Sequence, residues 1–295
     1  MELRTLEYFV AVAEEKSFTR AAARCRVAQP AISQQIRALE HELGEPLFER
    51  TSRSVRLSRG GDVLLPFARQ ALAATAAAVA EFAARSGVLS GSLRIGTVDG
   101  VERTDLPAIL GEFHRQHANV TVELIGGTSA ELLARIGHGG LEAAVVALPT
   151  MPLPGTLEML TMLEDEIVAV VPAADDRAKL ARLPLTELAG PTTITYARDS
   201  GLRTLLEESF AACDGDEAFR PGCETNDVAL QVALVKAGIG TALSAQTDPS
   251  LHDEKVAIIP LQPSVRYTKA MVWRTQPAPA APLRALLAIA GHRTV

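Results

Sequence analysis

The sequence is poor in cysteine: Cys25, Cys213 and Cys223 are the three present, with no CxxC pair and no Cys/His cluster at zinc spacing. A disulfide framework and a structural zinc site are therefore not expected. There is no uncharged apolar run of about eighteen residues, the length of a membrane-spanning helix. Residues 1–16 alternate acidic and apolar positions instead of pairing a basic start with an apolar core, so no secretory signal is read. The expectation is a soluble, cytoplasmic protein with no membrane contact. No G-x-x-x-x-G-K-[ST], no strand-borne G-x-G-x-x-G and no G-x-S-x-G occurs, which removes the common signatures of phosphate loops, dinucleotide sites and hydrolase elbows.

With 295 residues, 47% of them hydrophobic, the chain can build a small module and a larger domain with its own core. Its net charge of −6 by itself argues against nucleic acid. The distribution argues otherwise: residues 1–85 hold 12 Lys and Arg against 10 Asp and Glu, and the remainder holds 17 against 25. A weakly basic head on an acidic body leaves only the head suited to phosphates.

The head reads as three helices and a wing. Leu3, Leu6, Phe9, Val10 and Ala13 recur at helical spacing up to about Glu15. Ser17 is placed to cap a second helix through Ala21, Ala22 and Cys25. After a short break, a third helix starts at Gln29-Pro30, where the missing proline N–H costs nothing. Ile32, Ile36, Leu39 and Leu43 form its apolar stripe, Gly44 stops it, and Arg50 to Ser58 alternates like a small β-wing. Helix, turn, helix is the arrangement that lays one helix in a major groove. Residues 59–85 form an alanine-rich helix whose few bulky groups, Val63, Phe67, Leu72, Val79 and Phe82, cannot bury themselves within one domain. Pairing with a second copy or a solvated linker are the two readings. The stretch from Ser86-Gly87 to Ser90-Gly91 is the expected domain boundary.

Beyond it, apolar strands alternate with helices. SLRIGTV (92–98), VTVELI (120–125) and LEAAVVAL (141–148) are separated by helices over 106–117 and 129–138. DEIVAVV, TTITYA, helices over 202–212 and 228–237, GIGTALS, KVAIIPL, YTKAMVW and a helix at 283–290 follow. Such alternation indicates α/β layering with parallel strands covered on both faces. Two lobes with a cleft between them fit it better than one sheet.

The run LEYFVAVAEEKSFTRAAARCRVAQPAISQQIRALEHELGEPLFERTSRSVRLSRGG resembles the LysR-type transcription regulators at its first helix, its AA pair, QPAIS, IRALE, LG and PLFER. The remainder is similar to that family's effector domain, a type 2 periplasmic-binding-protein-like fold, through SGSLRIGTV, VTVELIGGTSAELLARI, AAVVALP and VALVKAGIGTAL. The resemblance implies a winged helix-turn-helix over 1–58, a dimerisation helix over 59–88 and an effector domain over 89–295. Within the last, lobe I comprises 89–163 and 265–295, and lobe II comprises 164–264. It implies double-stranded DNA with an interrupted inverted repeat, a small-molecule effector, a homodimer or homotetramer, and contact with RNA polymerase. No cofactor and no catalytic residue is expected.

The resemblance places Gln29, Pro30, Ala31, Ser33, Gln34 and Arg37 on the groove face, where Gln pairs with adenine and Arg with guanine or phosphate. Thr19 and Arg20, with Arg50, Ser52 and Arg53 in the wing, are expected to fix register on phosphates. The alternative for each is an ordinary solvated face. Matching the family's strand-to-helix junctions, the resemblance implies Val98, Asp99, Gly100, Thr128, Ser129 and Leu148 at the cleft from lobe I. Tyr196, Ser200, Gly201, Leu202, Asn226 and Asp227 join them from lobe II. Gly100 departs from the hydroxyl residue often found after the first strand, and its acidic neighbours put the usual small-carboxylate ligand in doubt. Those acids read equally well as helix caps.

Cys213 and Cys223, with nine residues between them, open the alternative of a thiol-based redox sensor. In the peroxide-sensing branch of the family, however, the reactive thiol sits near the start of the lobe II helix, where this chain has Ser200-Gly201. Cys25 reads as a small buried hydrophobe, and His114 with His117 as a solvated helix face in preference to a metal pair. An enzyme on the same two-lobed fold and an exported solute-binding protein are the other classes. The lack of a nucleophile and base constellation counts against the first, and the lack of a signal against the second.

Overall fold

The computed structural model describes residues 1–50, 54–85, 89–148, 153, 155–213, 219–276 and 278–293. The head opens with α1 (Leu3–Glu15), α2 (Phe18–Arg24) and α3 (Gln29–Leu43). Leu6, Phe9 and Val12 of α1 meet Ala21 and Ala22 of α2 and Ile32, Ile36 and Leu39 of α3 in one buried cluster. The small alanines let the helices approach closely, and the apolar stripes supply the burial that holds short helices together. Ser17 caps α2 by accepting from the Arg20 amide, Arg26 turns the chain at φ +55°, and Gly44 ends α3 at φ +78°. Two short strands, β1 (Phe48–Arg50) and β2 (Val55–Leu57), pair antiparallel as the wing. Glu40 on α3 accepts from the Leu47 and Phe48 amides and thereby ties the wing to the helix.

Helix α4 (Arg59–Arg85) continues through Pro66. Its Arg69 pairs with Glu14 of α1 at 3.0 Å. Val63, Phe67, Val79 and Phe82 remain 60–69% exposed and, at about 100° per residue, share one side of the helix. By length and composition α4 could cross a membrane. Arg69 interrupts its uncharged apolar run.

The C-terminal region contains β3 (Gly91–Thr97), α5 (Leu106–Gln116), β4 (Val120–Gly126), α6 (Ser129–Gly137), β5 (Ala143–Leu148) and β6 (Leu157–Pro172). It continues with β7 (Leu183–Pro184), β8 (Thr193–Thr195), α7 (Gly201–Ala212), β9 (Cys223–Glu224), α8 (Val228–Lys236), β10 (Thr241–Ala245), β11 (Val256–Arg274) and α9 (Ala281–Arg293). Strand order is β4-β3-β5-β11-β6-β10-β8-β9, with β7 beside β11. Strand β3 is parallel to β4 and β5, and β10 is parallel to β8, which is parallel to β9. Between these two parallel sets run β6 and β11, antiparallel to each other along almost their whole length.

The two α/β lobes are thus bridged by shared strands. KVAIIPL and YTKAMVW are the two ends of one 19-residue strand, and DEIVAVV is the second half of a 16-residue strand. Hydrogen bonding is therefore continuous from one lobe into the other, with a register break between Pro260 and Val265. The cores stay separate: Leu93, Ile95, Phe113 and Trp273 belong to one, and Val170, Ile194, Leu206 and Val235 to another. At the ends of the strands α6, α7 and α8 point their first turns towards the junction.

Candidate nucleic-acid interface and ligand cleft

On α3 the residues between the buried positions stand outward. Gln29, Pro30, Ala31, Gln34 and Arg37 are exposed, Ser33 is half-buried, and the Gln29 amide donates to Ser33 Oγ at 2.8 Å. Thr19 and Arg20 at the front of α2 are also exposed. Arg20 is drawn to Glu15, by its carboxylate and its carbonyl. Arg50 is more committed than the sequence implied: its guanidinium pairs with Glu40 at 2.9 Å and lies 4.6 Å from the centre of the Phe18 ring. It braces the wing against α3, and any phosphate must compete with that pair. Ser52 and Arg53 lie outside the described residues.

The cleft is a cavity of about 850 Å³ where the two parallel strand sets meet across β6 and β11, a volume within the range that holds a small metabolite. Eleven of the twelve expected cleft residues line it. Leu148 does not: it packs with Leu132, Ile136 and Leu141 under α6. Adjacent residues of a strand face opposite ways, so Ala147 takes the cleft position instead. Three helices of nine residues or more begin at the cavity. Thr128 and Glu131 form a reciprocal capping box on α6, Ser200 caps α7 by accepting from Leu202, and Asp227 caps α8 by accepting from Leu230. The first-turn amides of Ser129, Gly201 and Val228 have no intrahelical acceptor. The α6 and α7 termini touch: a Cβ on Gly201 would come within 3.1 Å of Ser129 Oγ.

The hinge side of the cleft carries a buried polar cluster. Asp165 on β6 accepts from Tyr267 Oη at 2.9 Å, from Thr247 Oγ1 at 2.6 Å and from the Glu166 amide at 2.8 Å. Arg103, in a tight turn at Val101–Arg103, donates from Nη1 to Thr247 Oγ1 at 3.1 Å. Its approaches to Asp165 and Asp248, 3.7 and 3.8 Å, are too long for hydrogen bonds. Arg103 Nε is buried with no hydrogen-bond partner among the described residues, a state that costs about 1–3 kcal/mol until something accepts from it. Lys269 on β11 donates to the carbonyls of Asp99 and Gly100 at 2.9 and 2.7 Å. Burial, reinforced by the Arg103 charge, pushes its ammonium down to about 8. Burial also raises the Tyr196 and Tyr267 phenols.

Gly100 sits at φ +69°. A Cβ there would fall 2.4 Å from Arg103 Nη2 and 2.7 Å from Lys269 Nζ. The two cations thus occupy the space that a hydroxyl side chain at this position would take. Arg103 was visible in the sequence only as one charge among acids, and Lys269 only as a lysine in an apolar strand. A charge inside YTKAMVW was the one available sign of it. Asp248 and Asp199, also missed, come from loops with no distinguishing pattern.

Of the other singled-out residues, Cys213 ends α7 and Cys223 opens β9; both are half-buried, free and packed against the second core. Neither lines the cleft. Cys25 is half-buried against the head core, and the His117 ring meets Phe113 in a tilted contact with centroids 5.1 Å apart.

Residues 3–62 match the family described as bacterial regulatory helix-turn-helix protein, lysR family, and residues 86–294 match the LysR substrate binding domain. The HTH-type transcriptional regulator ShiR of Corynebacterium glutamicum (strain R) is 33% identical, with 92% of each chain covered. A full-length OxyR variant from Pseudomonas aeruginosa shares the fold at TM-score 0.75 and 23% identity, over 99% of this chain and 94% of that one. Full-length CbnR, solved in complex with its target DNA, does so at TM-score 0.63 and 22% identity over the whole of both chains.

Proposed function

The chain belongs to the LysR family of DNA-binding transcriptional regulators controlled through an effector domain, and from that premise we propose how its parts divide the work. Residues 1–58 read DNA, 59–88 join two copies, and 89–295 sense the effector between lobe I (89–163 and 265–295) and lobe II (164–264). Gln29, Ser33, Gln34 and Arg37 contact base edges while Pro30 and Ala31 meet thymine methyls. Thr19, Arg20, Arg50, Ser52 and Arg53 hold phosphates. The observation that carries this assignment is the exposed polar face of α3 directly above its buried Ile32, Ile36 and Leu39 stripe.

The exposed side of α4 is the dimer seam, and effector domains join two dimers into a tetramer on an interrupted inverted repeat. The assembly acts in the cytoplasm and meets RNA polymerase there. Its cleft binds a ligand and does no chemistry of its own. Thiol sensing is not favoured, because the α7 N-terminus at the cleft carries Ser200 and Gly201, and Cys213 lies at the opposite end of that helix.

Retention of the purified full-length chain on duplex DNA at moderate salt, with and without an inverted repeat, tests the reading. Retention that favours the repeat is the expected result. A chain that passes through at low ionic strength overturns it.

A further inference from the structure

The cleft is not uniform in charge, and the division has a direction. Inside it, the donors converge: the Ser129 and Gly201 amides, Lys269, and an Arg103 side chain that is 9% exposed with its Nε unmatched among the described residues. At the mouth the charges are acidic. Asp99 and Glu102 are exposed and line the same cavity, and Asp199, also exposed, shares one oxygen with Asn226 at 3.4 Å. Glu131, Asp227 and Asp248 are occupied as helix caps. An anion alone would meet the donors inside but be repelled at the entrance, and a cation alone would face Arg103 and Lys269 within.

The geometry points to a small zwitterion as the effector of this chain, its carboxylate taken by the Arg103 and Lys269 corner with the first turns of α6 and α7, its ammonium held by Asp99 and Glu102. Arg103 is the specificity residue. Its guanidinium has donors to spare because Asp165 is already saturated by Tyr267, Thr247 and the Glu166 amide, leaving Arg103 one hydrogen-bonded oxygen, on Thr247. A carboxylate entering the cleft supplies the planar pair of acceptors that a guanidinium matches. The replacement of a side chain at position 100 by these two cations is what brings the charge to the cleft wall.

This inference rests on the cleft being the effector site, so its test separates ligand chemistry from DNA binding. Full-length protein is titrated calorimetrically with four five-carbon probes: norvaline, 5-aminopentanoate, pentanoate and pentylamine. At least one of the two zwitterions binds about tenfold more tightly than either singly charged probe, the margin of one good charged contact. In Arg103→Gln the zwitterion and pentanoate both weaken by a similar factor while pentylamine does not, and Arg103→Lys recovers part of the loss. Asp99→Asn, an exposed substitution that leaves the buried cluster intact, removes the zwitterion's advantage over pentanoate.

The proposal is overturned if pentanoate equals both zwitterions, if pentylamine binds best, if none of the four gives heat up to about 10 mM, or if Arg103→Gln keeps the carboxylate preference. DNA retention of the same wild-type preparation is scored independently. Its loss refutes the regulator reading whatever the ligands do.

Discussion

Replacing Gly100 with alanine tests the hinge corner most directly. The residue sits at φ +69°, where an L side chain costs about 1–2 kcal/mol. The added Cβ also falls 2.4 Å from Arg103 Nη2 and 2.7 Å from Lys269 Nζ, so both heads must move. Lys269 then gives up its bonds to the Asp99 and Gly100 carbonyls. Bonds of that charged kind are each worth about 1.5–3 kcal/mol, partly recovered by hydration as the ammonium swings into the cleft. The expected loss of stability is about 3 kcal/mol from the backbone strain and the lost bonds together.

Urea unfolding followed by tryptophan fluorescence measures that loss, because Trp273 is the sole tryptophan and lies in the lobe I core. Gly137→Ala is the matched control: that residue ends α6 with nothing within 4 Å of its Cβ site, and alanine there should stabilise by about 0.5 kcal/mol. A Gly100→Ala midpoint equivalent to less than about 0.5 kcal/mol of change, below the scatter of ordinary surface substitutions, would refute the account of this corner.

Three further outcomes follow from the same structure. Arg37→Ala and Gln29→Ala should each weaken operator binding by about 1–3 kcal/mol, measured by fluorescence anisotropy, and unchanged affinity in both would remove α3 from the groove. Phe67→Asp places a charge on the exposed side of α4 and should shift the sedimentation profile towards monomer, because an unpaired charge is costly in an apolar seam; an unaltered profile would locate the dimer contact elsewhere. Lys269 predicts a pH effect. Its folded value of about 8 lies below the ordinary lysine value, so between about pH 8 and pH 10 the unfolded chain holds more protons and stability rises with pH. Arg103, Glu102, Asp165 and Asp248 are the charges that act on it. Lys269→Met should abolish that rise relative to wild type in urea titrations across the window, and carboxylate affinity should fall over the same range in wild type only.

Local signals made much of the fold legible. Ser17, Pro30 and Gly44 mark helix ends by chemistry that acts over three or four residues, and Ile32, Ile36 and Leu39 declare a buried face by spacing alone. The cleft's helix starts at Ser129, Gly201 and Val228 were legible for the same reason. The length of β6 and β11 was not. Glu164, Asp165 and Glu166 interrupt the apolar pattern of one, and Pro260 and Pro263 that of the other. Strand continuity there comes from pairing between residues far apart in sequence, as in Tyr267 opposite Asp165. Arg103 and Lys269 were missed for that reason as well: the turn after β3 and the last strand of the chain meet only when both lobes have formed.

The position of β11 after the other described strands also bears on synthesis. Strand β5 is buried along its whole length and takes its antiparallel partner from Thr268–Trp273. Until that segment leaves the ribosome, the nascent polypeptide carries an apolar strand with one edge open, the kind of edge that recruits foreign strands. Strands β8, β9 and β10 and the first half of β11 precede the Pro260–Val265 break and can pair first, whereas β5 must wait for Thr268–Trp273. A message truncated between those two points would yield a chain with one strand set paired and one adhesive edge, a substrate for chaperones and proteases before it could ever reach DNA.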